Sequence, residues 1–363
     1  MNAFLYQPIF IGLTTLFAFV TVIRYFTSPD YRLQERQVSI WLPLIMCIAF
    51  VLWIGGRPIS GAAFGDTANY ALEYKAMEGA YVTVNWHSEW IWSFLMVLCG
   101  KFGLSVSTFF TIVAAGYFLT ALWAVKRFLP KNPMVGMIFV LTSLMFFPFA
   151  TNGLRNGLAC HVMLLAMSYF FDDKYIKGAL WCLVAFGLHR SVMLPIASMI
   201  AGRYVIKDMR YAILFWVFSI ALSLVAGGSI SGMFAAIGFD DRMSAYLTNQ
   251  YQDQFSNTGF RWDFLIYSSF PILMGWYVCV KRAIRDDWYR TLCVSYCLCN
   301  AFWVMVIRAA FSNRFAYLSW FMYPMVIAYP LVNLPVWEDQ DRKTAIILAM
   351  YSFFTLFMYT VVW

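Results

Sequence analysis

Residues 133–171 read PMVGMIFVLTSLMFFPFATNGLRNGLACHVMLLAMSYFF, and in these 39 positions there is one formal charge, Arg155. Each flank is long enough to form a membrane helix, since a bilayer core takes about 20 apolar residues. The link Thr151-Asn152-Gly153-Leu154 is short, so the two flanks are neighbours that turn back on each other. Arg155 therefore stands at a helix end inside an apolar context. A charge there costs at least about 2.5–3.5 kcal/mol, which makes it a functional-site hypothesis by default.

Apolar runs recur along the chain, without an internal repeat. Apolar runs fall near 3–24, 40–56, 105–125, 133–150, 155–171, 176–188, 190–203, 211–227, 262–280, 290–307, 315–335 and 344–362. Overall 62% of the 363 residues are hydrophobic and 12% are charged, against about 25% charge in soluble domains. The composition predicts an all-α, polytopic transmembrane bundle of about 12 spans (11–14), forming a single integral membrane domain over 1–363. It excludes a soluble enzyme. The net charge of +8 is scattered over short links and does not indicate nucleic-acid binding.

The links set the topology. Segments 24–36, 126–131, 174–177, 203–210, 281–290 and 342–343 hold 17 of the 26 Lys and Arg and fall on every second link. By the positive-inside rule they are cytoplasmic, which places both termini outside. This requires 88–103 to be a short re-entrant or interfacial helix and not a span. Two long extracytoplasmic loops, 57–87 and 228–261, are then expected as folded lids. The N-terminus lacks a basic segment and a cleavage site and reads as a first span. The eight cysteines all sit in apolar runs, where they read as buried small hydrophobes. No set of side chains has metal-ligand spacing, so no metal and no cofactor is expected.

Four groups at the outer side carry chemistry. The first is Gly65-Asp66-Thr67-Ala68-Asn69-Tyr70, with Tyr74 and then His87-Ser88-Glu89-Trp90. Asp66 and Glu89 are carboxylates able to take a proton from a sugar hydroxyl or to hold it. Alternatively, Asp66 caps a short helix through Tyr70 and Tyr74, and Glu89 is a solvated charge at a helix start. The second is Asn152 to Ala159, where helix amides and the Arg155 guanidinium form an anion cradle; the plainer reading is an Arg that snorkels to headgroups. His161, further in, reads as a helix-packing residue. The third is His189-Arg190-Ser191, either a pyrophosphate contact or a polar hinge between two half-length helices. The fourth runs from Arg308 through Arg314 to Tyr317. Arginine forks suit phosphate oxygens, and an outer rim that gathers them points to a lipid-linked phosphate or pyrophosphate.

Taken in order, Asp66-x3-Tyr70-x3-Tyr74, Ser88-Glu89-Trp90-Ile91, Asn152-x2-Arg155-Asn156-x2-Ala159, His189-x-Ser191 and Arg314-x2-Tyr317 resemble the EpsG family of Wzy-type polysaccharide polymerases over nearly the whole chain. Family members often have Glu-Pro where this chain has Glu89-Trp90, and Arg-Gln where it has Arg155-Asn156. The resemblance implies a metal-independent glycosyltransferase of the bacterial inner membrane. It would join undecaprenyl-pyrophosphate-linked oligosaccharides, as donor and acceptor, on the periplasmic or outer face, yielding capsule, exopolysaccharide or O-antigen. Asp66, Glu89 and His189 would then be catalytic. Arg155, Arg190, Arg308, Arg314, Asn152, Tyr70, Tyr74, Arg242 and Tyr317 would bind substrate, with Tyr246 and Tyr251 guiding the glycan. Membrane lipids, a flippase and chain-length or export proteins are the implied partners. A lipid-linked oligosaccharide flippase and a membrane O-acyltransferase are the alternatives.

Overall fold

The computed structural model describes residues 1–27, 38–77, 83–237, 259–309 and 312–362, with backbone alone for 228–237. Arg242, Tyr246 and Tyr251 lie outside the described residues, as do 78–82 of the first expected lid. Every regular element among the described residues is helical. The chain divides into two compact units, 1–193 with 328–363 and 194–327.

In the first unit, the helix Leu154–Phe171 is the centre. Fifteen of its residues are buried, and it packs between Val106–Phe128 and Tyr175–Leu188. Trp41–Gly55 lies on the far side of Val106–Phe128, and Tyr6–Thr27 pairs with Gln340–Phe357. Local sequence sets the helix starts. Ser105 accepts the Thr108 N–H before Val106–Phe128, and Asn132 accepts the Val135 N–H where Pro133 opens the next helix. Both side chains satisfy amides that have no partner within the first helical turn.

In the second unit, Asp287–Met305 is buried against Met209–Ile237, Trp262–Trp276 and Ser312–Trp320. Its interior is tied by polar links: Trp216 Nε1 donates to Asn300 Oδ1 at 2.8 Å, and Asn300 Nδ2 to Ser319 Oγ at 3.0 Å. Trp320 Nε1 donates to Ser268 Oγ at 2.7 Å. Between apolar helices in lipid such hydrogen bonds, and not hydrophobic burial, give the packing its specificity.

Six helices among the described residues are long and apolar enough to cross a bilayer: Ala3–Thr27, Val106–Phe128, Met209–Gly227, Trp262–Lys281, Ser312–Asn333 and Gln340–Val362. The twelve apolar runs of the sequence do not become twelve such helices, because several break. The run 133–150 splits into Pro133–Leu141 and Phe146–Thr151, with Thr142 and Ser143 turning their hydroxyls back onto backbone carbonyls at the break. Residues 190–203 open in a 3-10 turn at Arg190–Val192. The segment expected to be re-entrant forms Trp90–Lys101, about 18 Å long at 1.5 Å per residue and short of a hydrocarbon core of about 30 Å.

The two expected lids differ from open loops. The first contains a helix, Thr67–Met77, of the kind its Tyr70 and Tyr74 spacing suggested. The second begins later than residue 228, since helical backbone runs on to Ile237 after a kink at Ala226. Gly227 and Gly228 permit the kink, and the apolar residues 230–237 carry the helix onward.

Candidate functional site

The site is built on one turn docked to another. The helix Phe146–Thr151 ends at Asn152, and Leu154–Phe171 begins two residues later. The Asn152 side-chain oxygen accepts the Asp66 backbone N–H at 2.8 Å. Gly65 makes this possible: its φ is 51°, and a Cβ there would stand 2.6 Å from the same oxygen. A residue with a side chain would be both strained and in collision. Asp66 thereby sits beside the start of Thr67–Met77, partly exposed and seated over the segment that leads to Arg155.

Three more segments converge on that arginine. Arg155 Nη1 donates to Glu89 Oε2 at 2.6 Å, and the two side chains are only 15% and 16% exposed. The other carboxylate oxygen, Glu89 Oε1, lies 3.4 Å from His189 Nε2. His189 Nδ1 accepts the Ser191 N–H at 3.2 Å, so in the neutral ring the proton is on Nε2, facing the carboxylate. The Tyr70 ring lies 5.3 Å from the guanidinium carbon, and Glu73, one turn further along the same helix, adds negative charge toward Arg155.

Each group stands at a helix end. Glu89 precedes Trp90–Lys101, Arg155 is in the first turn of Leu154–Phe171, and His189 closes Tyr175–Leu188 in extended backbone. A cation in a first turn meets the positive end of the helix dipole, so Glu89 offsets an unfavourable placement as well as a buried charge. Glu89 is thus mostly buried and paired at the start of its helix, an arrangement neither reading of it included.

Other expected residues are placed differently. Tyr74 is fully buried, stacked on Phe109 with ring centroids 4.8 Å apart, and its hydroxyl donates to the Leu104 carbonyl. Arg190 is exposed and donates to the His87 carbonyl. His161 is a packing residue, with Nδ1 2.9 Å from the Tyr117 carbonyl and its ring stacked on Tyr117 at 4.0 Å. Six of the eight cysteines are buried and two are partly so.

Arg57, the first residue of the 57–87 segment, is not among the expected site residues. It is 3% exposed and donates to the Ile54 carbonyl, the Thr67 hydroxyl and the Thr151 carbonyl at 3.0, 3.0 and 3.1 Å. Its signal was present: it stands at the edge of an apolar run, closing 40–56 where Arg155 and Arg314 open theirs.

The second unit holds Arg308 and Arg314 of the expected set, and Arg261. Arg314 is in the first turn of Ser312–Trp320, partly exposed, with Tyr317 buried one turn on. Arg308 lies 5.6 Å from the Phe260 ring and fills the space beside Gly227. Arg261 makes a two-pronged pair with Asp263, at 2.9 and 2.6 Å.

Six apolar helices long enough to cross a bilayer mark a multi-pass membrane protein, and an arginine, a carboxylate and an imidazole gather at the ends of three other helices within it. Its site is suited to anions and hydroxyl groups. A family model matches residues 40–363, and the chain belongs to the EpsG family, a family of Wzy-like polysaccharide polymerases and glycosyltransferases. The resemblance read from the five motifs is borne out. No curated protein and no solved structure matches the chain.

Proposed function

We propose that this chain is a Wzy-type polymerase. It joins oligosaccharide repeat units carried on undecaprenyl pyrophosphate at the outer face of the bacterial plasma membrane, without a metal ion. The observation that carries the reading is the Arg155–Glu89–His189 cluster, taken with membership of the family.

The cluster supplies the parts that such a transfer needs. A pyrophosphate oxygen and a carboxylate are competing acceptors for one guanidinium fork. Donor binding moves Arg155 from Glu89 to the diphosphate, where it stabilises the charge that grows as the lipid pyrophosphate leaves. Glu89, freed from its cation, becomes a stronger base. It accepts the proton of the attacking sugar hydroxyl at the non-reducing end of the incoming unit, with His189 holding its second oxygen. The oxygen of that hydroxyl bonds to the anomeric carbon as the pyrophosphate departs. Asp66 and Asn152 position the acceptor. The product is a capsule, exopolysaccharide or O-antigen chain, and a flippase and chain-length or export proteins are its partners.

The test is a deletion strain complemented with Glu89→Gln, Asp66→Asn or wild type. Deletion leaves single repeats displayed outside the membrane, and wild type restores long chains. Glu89→Gln leaves single repeats, while Asp66→Asn shortens or slows the polymer. Repeats trapped inside the cell in the deletion strain would indicate transport. Unchanged chain length with lost acyl groups would indicate acyl transfer. Either outcome overturns the reading.

A further inference from the structure

We propose that Arg57 is a positioning residue of this site, holding the turn that bears Asp66 at a fixed distance from the turn that leads to Arg155. The inference rests on the polymerase reading and adds a residue to it.

Arg57 joins the two turns through their next residues. Its Nη2 donates both to the Thr67 hydroxyl and to the Thr151 carbonyl, and the Thr67 hydroxyl itself donates to Thr151. One position along on each strand of chain, the Asp66 N–H donates to Asn152. Two adjacent residue pairs, 66–67 and 151–152, are thus docked by a ladder of polar links with Arg57 at its buried end. Nη1 anchors the fork to the Ile54 carbonyl, and the guanidinium lies between the Phe64 and Phe110 rings at 5.7 and 4.7 Å.

The chemistry of the residue is unusual for a packing role alone. No carboxylate among the described residues comes within ion-pair distance of Arg57, and its buried Nε has no hydrogen-bond partner. Burial lowers its pKa to about 10, opposed in part by Tyr6, so it remains a cation at neutral pH. A buried charge without a counterion is costly, so packing alone does not account for it. What only a guanidinium supplies here is a rigid fork that reaches three acceptors on three segments. A displacement of about 1 Å between catalytic groups is enough to cost about 10²-fold in rate.

The experiment uses membrane vesicles from the deletion strain, which carry its own lipid-linked single repeats, supplied with full-length wild type or variants. Arg57→Met lowers the polymerisation rate at saturating repeat about 10–10²-fold, while the half-saturating repeat concentration stays within about twofold. Arg57→Lys, which keeps the charge and loses the fork, restores only part of the rate. Thr67→Val reproduces the loss, and combining it with Arg57→Met adds little, because both break one ladder. Rates that fall only in proportion to folded protein, or losses that add in full, overturn the inference. If wild type makes no polymer, or Arg155→Ala remains fully active, the polymerase reading has failed. If both controls behave and Arg57→Met is as fast as wild type, only the Arg57 assignment has failed.

Discussion

The two ends of the helix Leu154–Phe171 carry nearly the same parts to different effect. At its C-terminal end Arg127 pairs with Asp172, lies 3.6 Å from the Tyr169 ring and bonds to Ser168. At its N-terminal end Arg155 pairs with Glu89 and faces the Tyr70 ring. The cation at the C-terminal end is placed where the helix dipole favours it, and its partner Asp172 is 41% exposed. Arg155 stands where the dipole opposes it, its partner is 16% exposed, and that partner comes from 66 residues away. One end is a helix finished in the ordinary way. At the other, a pair drawn from 66 residues apart and mostly buried offsets a cation that the helix dipole opposes.

The largest expected effect separates the two ends outright. Arg155→Ala in a strain that makes the polymer should cut long-chain material about 10²–10³-fold, read on gels of extracted polysaccharide, at normal levels of the membrane protein. Normal chains from that variant would erase the distinction. A smaller effect concerns the bridge: His189→Ala should slow polymerisation about 10–10²-fold without detaching Glu89 from Arg155. If His189→Ala left the rate intact, the imidazole would be a hinge residue only. Next, Gly65→Ala should force the Asp66 turn off Asn152, costing about 1–3 kcal/mol in thermal unfolding of the detergent-extracted protein, together with polymer length. The smallest change belongs to the opposite end. Arg127→Ala should cost about 1–2 kcal/mol of stability by the same assay and less than about twofold in polymer. A large loss of polymer there would show that both ends serve the reaction.

The parts of this site that the sequence made legible were those marked by chemical contrast. Arg155, Glu89 and His189 stand out because each is polar at the edge of an apolar run, and the three meet in one cluster. Their pairing was not legible, since nothing in residues 89, 155 and 189 states which helix ends come together. Tyr74 illustrates the converse. The family resemblance implied a substrate contact for it, but helical periodicity alone does not say which face turns inward, and the ring is buried on Phe109. Arg57 escaped notice because a lone cation ahead of a proline reads as loop, and its three acceptors are a carbonyl three residues back, a hydroxyl ten residues ahead and a carbonyl 94 residues away. The fold shows the same division. Apolar composition revealed helices in a membrane, whereas breaks such as Thr142-Ser143 depend on hydroxyls that choose local carbonyls over a continued helix.

The burial of Leu154–Phe171 also bears on how the chain is made. A segment that carries Arg155, Asn156 and His161 has little reason to leave an insertion channel for lipid by itself, and in the finished protein its surface meets other helices instead. It has to wait beside Val106–Phe128 until Tyr175–Leu188 has been synthesised and the three can partition together. A crosslinker placed within Leu154–Phe171 should therefore reach the insertion channel in ribosome-arrested chains that lack Tyr175–Leu188, and no longer do so once that helix has emerged.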